Sequence, residues 1–261
     1  MKLKAFEFIF VLIILIVSTN NALRKHLNEL KGSYAYKTDQ NVLRNLQADG
    51  YESYIILYFN EDCRYPNGFT NPRRSDISYI INRENNDKIT SETELIINKD
   101  FRIEIYFSSS VRDMRSFFDR DYDDNIQYLI SIDFTNFDSS LLSDIRWMFF
   151  GCNSLETIIL TNFDTSLVTD MSAIFYGCSS LKSIDLSNFV TSLVTNMGSM
   201  FYGCSSLKSI DLSHFDTSKV LYMAYMFYRC SSLKSIDLSN FDTSKVDIMW
   251  DMFNGCRSLK Y

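Results

Sequence analysis

Hydrophobic and polar residues alternate in a short segment that returns at regular intervals along the second half of the chain. In one copy, apolar Ile184 and Leu186 flank the polar Asp185. Alternation with a period of two predicts a short β-strand with one buried face. Thr191 and Ser192, which follow, are turn or N-cap residue types. The pattern therefore predicts a strand followed by a turn.

An apolar stripe of longer period comes after this turn. Its members are three or four residues apart: Val194, Met197, Met200, Phe201 and Cys204. This spacing predicts one face of a short helix, and Gly203 stands where such a helix is expected to end. One such unit cannot bury its own apolar stripe, so neighbouring units are expected to stack.

The unit recurs every 26 residues and is marked by five cysteines: Cys152, Cys178, Cys204, Cys230 and Cys256. The segment 177–187 returns unchanged at 203–213, and with one replacement at 229–239. We predict an α/β solenoid of leucine-rich-repeat type, with a parallel sheet and short helices behind it. Five full coils begin at residue 129, and their Ile, Leu, Phe, Met and Cys columns are interpreted as core.

A degenerate coil is predicted from residue 108, because Val111 and Met114 align with Leu142 and Ile145 at an offset of 31. Before it, residues 51–107 are expected to form a β-rich cap for the exposed end of the array. The predicted strands of this cap are 53–59, 77–82, 95–97 and 101–107.

The N-terminus resembles an export signal. Lys2 and Lys4 precede an unbroken apolar run, 8–17, which is shorter than the about 20 residues that a membrane-spanning helix needs. We predict a signal peptide at 1–22, with an uncleaved signal anchor as the alternative, and a linker with a short helix at 23–50. The expected location is therefore secreted or on the outer cell surface.

The chain reaches a sixth coil at Leu259 and stops at Tyr261. An open strand edge promotes association. We expect either that the chain is truncated, which we favour, or that a partner or a second copy covers this edge.

Charge and motifs argue against several classes of function. The formal charge is −6, which gives no attraction to nucleic acid. The two histidines, His26 and His214, accompany no nucleophile, P-loop or dinucleotide motif. We therefore expect no enzyme, no catalytic residues, no cofactor and no small-molecule substrate.

The cysteine pattern predicts free thiols. No paired Cys-x-x-Cys motif occurs, so no metal site is expected. Columns of a parallel sheet are about 4.8 Å apart, whereas a disulfide needs converging Cβ atoms within about 3.5–4.5 Å. Buried thiols that act as small apolar groups are therefore favoured over disulfides.

The candidate ligand-binding residues lie on the outward side of the predicted sheet. They are an aspartate column and two serine columns: Asp133, Asp185, Asp211 and Asp237; Ser183, Ser209 and Ser235; Ser187, Ser213 and Ser239. Carboxylates about 5 Å apart in water repel by about 0.8 kcal/mol, so some interaction should offset this repulsion. Either the face binds a basic or polar partner or cations, or the hydroxyls and nearby lysines, Lys182, Lys208 and Lys234, screen it.

A second aspartate column is interpreted as structural. It contains Asp138, Asp164, Asp216 and Asp242. Each of these residues precedes Ser or Thr, and we expect its carboxylate to bind turn amides.

The amino-acid sequence of the repeat resembles that of a known family. Residues 233–246 read Leu-Lys-Ser-Ile-Asp-Leu-Ser-Asn-Phe-Asp-Thr-Ser-Lys-Val, and Met-x-x-Met-Phe-x-Gly-Cys follows at 249–256. This is similar to the repeat of BspA-like surface proteins, a divergent leucine-rich-repeat group; the similarity covers 129–261 clearly and 103–128 faintly. It implies a secreted or surface-displayed protein with an adhesive role.

The resulting hypothesis is a non-enzymatic secreted or cell-surface repeat protein. Its solenoid sheet face would bind an extracellular protein or glycan of a host or neighbouring cell. The alternative is a structural surface-layer or spacer protein that self-associates, including through the open C-terminal edge.

Overall fold

The computed structural model describes residues 53–59, 63–65, 77–82, 87–89, 95–97, 102–107, 111–119 and 124–260. All of them belong to one of the two units into which the chain divides, Glu52–Tyr261. The predicted signal peptide and linker, together with His26, lie outside the described residues. Within the described ranges, no helix has the length and apolar character required to cross a membrane.

Six short strands occupy the described N-terminal part of this unit: β1 (Tyr54–Phe59), β2 (Cys63–Tyr65), β3 (Ile77–Asn82), β4 (Asp87–Ile89), β5 (Leu95–Ile97) and β6 (Arg102–Phe107). Four of them, β1, β3, β5 and β6, confirm the predicted strands. Strand β1 consists of aromatic and aliphatic residues that favour strands, and Ile55, Leu57 and Phe59 are fully buried.

The strands of the N-terminal part continue directly into the coils. A six-stranded sheet has the order β4-β3-β6-β1-β7-β8, where β7 (Leu129–Asp133) and β8 (Thr157–Ile159) belong to the first two coils. Strand β1 pairs antiparallel with both β6 and β7. Strands β7 and β8 are parallel, with Ile132 opposite Ile158. The edge of β7 that faces away from β8 is therefore hydrogen-bonded by β1.

Backbone hydrogen bonds join each 26-residue coil to the next. We number the coils 1 to 5: 129–154, 155–180, 181–206, 207–232 and 233–258. The amide of Met171 donates to Asn196 O at 2.9 Å, and that of Phe175 donates to Met200 O at 3.0 Å. The same bonds recur one coil later, for example from Phe201 N to Met226 O at 2.9 Å. Equivalent residues of successive coils therefore lie side by side in parallel register.

The prediction of short helices in the coils is wrong for the described residues, which contain no α-helix. The segments that were predicted to be helices consist of turns. In coil 2, Ala173 and Gly177 have φ angles of 54° and 74°. Alternate amides donate to the next coil instead of to the residue four positions back, as Gly177 N does to Tyr202 O at 2.7 Å. The left-handed φ at Gly177 favours glycine. The apolar residues spaced by three and four are still buried. The spacing therefore identified the buried positions but did not distinguish a helix from these turns.

The prediction of strands in coils 3 to 5 is also wrong. Residues 183–187, 209–213 and 235–239 have no assigned strand. In coil 3, the amide of Ser187 donates to the Asp185 carboxylate at 2.9 Å, and the amide of Phe189 donates to Leu186 O at 2.8 Å. Coil 1 makes the same two bonds, from Thr135 N to Asp133 Oδ1 at 2.8 Å and from Phe137 N to Phe134 O at 2.9 Å, and still forms β7, so these bonds do not by themselves exclude a strand. In β8 the aspartate position holds Ile159.

The degenerate coil aligns as predicted. Asp113 forms a parallel bridge with Asp144, at an offset of 31. The amide of Met114 donates to Asp144 O at 2.8 Å, and that of Phe118 donates to Met148 O at 2.9 Å. A 3-10 helix, Asp124–Tyr128, precedes β7.

Aromatic columns run through the core along the direction in which the coils stack. Phe149, Phe175, Phe201 and Phe227 stack on one another with ring centroids 5.4–5.6 Å apart. Ile132 and Ile158 are buried, but Ile184, Ile210 and Ile236 of the predicted inward column are half-buried. The core is therefore continuous, and in coils 3 and 4 its phenylalanines are more deeply buried than its isoleucines.

The cysteine column packs in the core, as predicted. Cys178, Cys204 and Cys230 are buried free thiols, Cys152 is also buried, and Cys256 is half-buried. Each thiol donates to a phenylalanine carbonyl of the preceding coil, as Cys204 does to Phe175 O at 3.1 Å. Burial raises the pKa of the Cys178 and Cys204 thiols well above the ordinary value. These side chains are therefore unreactive core groups.

Candidate functional site

The predicted aspartate column stands on the surface, in one row. Asp185, Asp211 and Asp237 are exposed, whereas Asp133 is half-buried. We call Asp185, Asp211 and Asp237 the acidic row. The two serine columns of the prediction are also exposed: Ser183, Ser209 and Ser235 lie on one side of the row, and Ser187, Ser213 and Ser239 on the other. The structure thus brings the predicted residues of coils 3 to 5 together on one surface.

Each carboxylate of the acidic row accepts a hydrogen bond from the amide two residues further along. The distance is 2.9 Å from Ser187 N to Asp185 Oδ1, and the same in the next two coils. The serine hydroxyl adds a second bond. These bonds hold the pKa of Asp185, Asp211 and Asp237 below its ordinary value. The turn therefore offsets the repulsion between stacked carboxylates, and the row is ionised at neutral pH.

A row of lysines runs beside the acidic row, three residues earlier in each coil. Lys182, Lys208 and Lys234 are exposed, and we call them the basic row. Backbone bonds keep this row in register, with Lys234 N donating to Lys208 O at 3.1 Å. The Lys182 ammonium pairs with Glu156 at 2.8 Å. Within the described residues, Lys208 and Lys234 form no ion pair. We call the two rows and the serine columns the front face.

The second aspartate column has the structural role that the sequence predicts. The carboxylates of Asp138, Asp164, Asp216 and Asp242 each accept from the amide two residues on, at 2.8–3.0 Å. Hydrogen bonds from the Ser218 and Ser244 side chains and amides lower the pKa of Asp216 and Asp242.

A third polar column was not recognised in the sequence. Asp144, Asp170 and Asn196 occupy equivalent positions, and Asn196 Nδ2 donates to Asp170 Oδ2 at 3.2 Å. Arg146 binds both oxygens of Asp144, at 3.0 and 2.6 Å. Burial opposes the charge of Asp144, but the bonds from Arg146 outweigh this and lower its pKa. A comparison of all residues that are 26 positions apart in the sequence would have identified this column.

A half-exposed aromatic column was also missed. Phe150, Tyr176, Tyr202 and Tyr228 stack with ring centroids 4.2–4.7 Å apart. The Arg229 guanidinium lies over the Tyr228 ring, 5.2 Å from its centroid. Because neighbouring rings cover one another's faces, this column presents mainly ring edges to solvent.

His214 lies on the surface as a substituted repeat residue, as the sequence indicates. Its Nε2 is 2.8 Å from Leu186 O, which requires this nitrogen to donate. Asn240 binds Leu212 O in the same way at 3.0 Å. In the part of the chain that the structure describes, no group of three or more His, Cys, Asp or Glu side chains is placed to hold a metal ion.

Three overlapping stretches of the chain, 90–183, 112–210 and 143–261, match the family described as "Mycoplasma protein of unknown function, DUF285". Together they span more than half of the chain. The chain belongs to this family. Overlapping matches along one chain are typical of a repeat protein, so DUF285 membership and the 26-residue period agree. No curated protein and no solved structure matches the chain significantly.

The DUF285 region contains the whole candidate surface. Its first match begins at residue 90 and its last ends at 261, so β6, the degenerate coil and coils 1 to 5 all lie within it. The acidic and basic rows therefore lie within the matched region.

Proposed function

We propose that this DUF285 protein is a non-enzymatic secreted or cell-surface protein that binds an extracellular protein or glycan through the front face. The observation that carries the proposal is the acidic row: three exposed, ionised carboxylates oriented alike by hydrogen-bonded turns. A rigid row of identical charges suits the recognition of an extended partner through several weak contacts at once.

The proposed architecture is a parallel solenoid of the BspA-like leucine-rich-repeat type, in which turns take the place of helices. Its support is the parallel hydrogen bonding between coils and the stacked Phe175 and Phe201 columns. The proposal includes the β-rich N-terminal segment as a cap, because β1 pairs with the outer edge of β7. Stacked coils give a long, shallow surface of the kind that repeat proteins use for binding.

Binding is preferred to catalysis because the row repeats a single environment. Acid–base catalysis by two carboxylates requires surroundings that push their pKa values apart. The same turn surrounds Asp185, Asp211 and Asp237, and their pKa values all move in the same direction. The proposed surface location is supported by the charged and apolar pattern of residues 1–22.

A matched pair of triple variants tests the proposal. Asp185→Asn/Asp211→Asn/Asp237→Asn removes the charge of the row but retains an oxygen that accepts the turn amide. The control is Asp164→Asn/Asp216→Asn/Asp242→Asn, which changes a turn of the same type at another position in coils 2, 4 and 5. Both full-length variants are compared with the parent for binding to an array of purified extracellular-matrix proteins and glycans.

We expect the front-face variant to lose affinity at least about tenfold for whatever the parent binds, while the control binds normally. Equal binding by all three proteins would rule out the front face. Protease shaving of intact cells, followed by mass spectrometry, tests the location. Absence of coil peptides from the shaved fraction would contradict surface display.

A further inference from the structure

The two rows of the front face carry opposite charges that do not neutralise each other within the chain. The acidic row and the basic row belong to the same three coils and are three residues apart along each coil. Three residues of extended backbone span about 10 Å. Among the described residues, no ion pair joins the two rows, and the only partner of the basic row is Glu156, which pairs with Lys182 at 2.8 Å. The acidic row, Lys208 and Lys234 are therefore available to an outside partner, and Lys182 is exposed beside them.

The two rows also have the same repeat distance. Each row has one residue in each coil. The backbone bonds between Lys182, Lys208 and Lys234 keep successive residues about 4.8 Å apart, as in a parallel sheet. A partner with a different repeat would fall out of register after one or two contacts. A second copy of this chain has the same repeat.

No large outward side chain separates the rows. The residues between them are the serines Ser183, Ser209 and Ser235, each followed by a half-buried isoleucine that packs against the core. Two such faces can therefore approach closely enough for lysine and aspartate side chains to meet.

We propose that the front face binds a second copy of this chain, with the acidic row of each copy against the basic row of the other. The inference rests on the proposed function, since it names the partner of the same surface. It also differs from association through an end of the array, because the contact lies along the side of coils 3 to 5.

Symmetry determines the orientation of the pair. A two-fold axis parallel to the rows places each acidic row opposite a basic row, so both rows are paired along their length. A two-fold axis across the rows places like charges opposite each other. The two chains therefore lie parallel, with equivalent coils side by side. Such a pair joins neighbouring molecules on one surface.

Charge exchange tests the pairing. Lys182→Glu/Lys208→Glu/Lys234→Glu makes the face wholly acidic and leaves the turns intact. Asp185→Lys/Asp211→Lys/Asp237→Lys makes it wholly basic. In sedimentation experiments on the full chain at low salt, the parent is expected to dimerise and each variant to remain monomeric. An equimolar mixture of the two variants is expected to dimerise again, and added salt should dissociate both dimers because exposed charge pairs are screened.

The basic-face variant loses its turn bonds and could fail to fold, which circular dichroism would reveal. In that case the triple Asp→Asn variant replaces it, and that variant is expected to dimerise at least about tenfold more weakly than the parent. Association through the apolar residues 8–17 would be insensitive to all of these substitutions.

A single new cysteine tests the orientation. Ser183→Cys is expected to form a disulfide-linked dimer under mild oxidation, because Ser183 meets its own equivalent only when the chains are parallel. If instead a link forms only between Ser183→Cys and Ser235→Cys chains, the parallel arrangement is wrong. The parent is the control, since the coil cysteines from 152 to 230 are buried.

The outcomes separate this inference from the proposed function. A parent that stays monomeric at millimolar concentration and low salt, or a dimer that the charge reversals do not weaken, overturns pairing with a second copy. If the Asp→Asn variant then still loses binding to a matrix protein or glycan, the proposed function stands and only the inference fails.

Discussion

The hydroxyl of Thr191 is bonded twice to Asp216, one coil further on. It accepts from Asp216 N at 2.8 Å and donates to Asp216 O at 3.0 Å. Thr165 binds Val190, and Thr217 binds Asp242, through the same pair of bonds. Because these threonines are buried, each coil is joined to its neighbour by an internal polar link that water cannot easily replace.

Replacing Thr191 by Val is expected to destabilise the protein by about 1–3 kcal/mol, because the amide and carbonyl of Asp216 lose their partner. Urea unfolding of the full chain measures this loss. Thr191→Ser is the control, since Ser139 already donates and accepts at the equivalent place in coil 1. A Val variant as stable as the Ser variant would show that the two bonds contribute little.

Stability is expected to fall in acid. The pKa values of Asp185, Asp211, Asp216, Asp237 and Asp242 are lowered in the folded chain by hydrogen bonds from the turns. The unfolded chain therefore binds protons first. The stabilisation is present above the ordinary carboxyl pKa of 3.8 and is lost as the pH falls through the lower folded values.

Urea midpoints measured between about pH 5 and pH 2 test this. The triple Asp→Asn variant of the acidic row keeps the turns but cannot titrate there, so its stability should depend less on pH than that of the parent. Identical pH profiles for the two proteins would argue against the turn bonds as the cause.

The coil thiols are expected to resist alkylation while the chain is folded. Burial raises the pKa of Cys230 to about 12, and those of Cys178 and Cys204 well above the ordinary range. Cys256 is only half-buried. Peptide mapping after treatment with N-ethylmaleimide should therefore find Cys256 labelled first among the five. The other four should react only at the rate of unfolding, and rapid labelling of Cys204 in native conditions would contradict the packing.

Gly198 is expected to tolerate no side chain while Tyr222 is present. A Cβ at this position would overlap the Tyr222 ring, which belongs to the next coil. Gly198→Ala should cost about 1–3 kcal/mol, whereas in a Tyr222→Ala background the same change should cost much less. The equivalent positions hold Ser172 and Ala224, so the position itself accepts a Cβ. A double-mutant cycle in urea measures the coupling, and additive effects would exclude the overlap as its cause.

The period of the sequence was the part of the fold that could be read most directly. Once equivalent residues are aligned, it predicts which side chains are neighbours. The column that contains Cys178 and Cys204, the offset between Met114 and Ile145, and the turn bonds of Asp216 all follow from this alignment. The strands β1, β3, β5 and β6 were visible because β-branched and aromatic residues cluster there.

The acceptors of the backbone hydrogen bonds could not be predicted from the sequence. Apolar residues three and four apart, such as Met197, Met200 and Phe201, are buried equally well by a helix or by turns whose amides reach the next coil. In the same way, Asp185 looked like a free outward residue, but its carboxylate accepts a backbone amide. The sequence thus located the acidic row correctly but did not show what orients it.

The backbone hydrogen bonds that join the coils run between neighbouring coils, as those of Phe175 and Phe201 do. Duplication or deletion of one whole unit would consequently preserve this pattern of backbone bonds. Side chains at a new junction would still have to fit, because deletion of coil 3 would place Ser172 of coil 2 against Tyr222, where coil 3 has Gly198. Each added copy would lengthen both charged rows by one residue, so the strength of binding through the front face could be adjusted in equal steps during evolution.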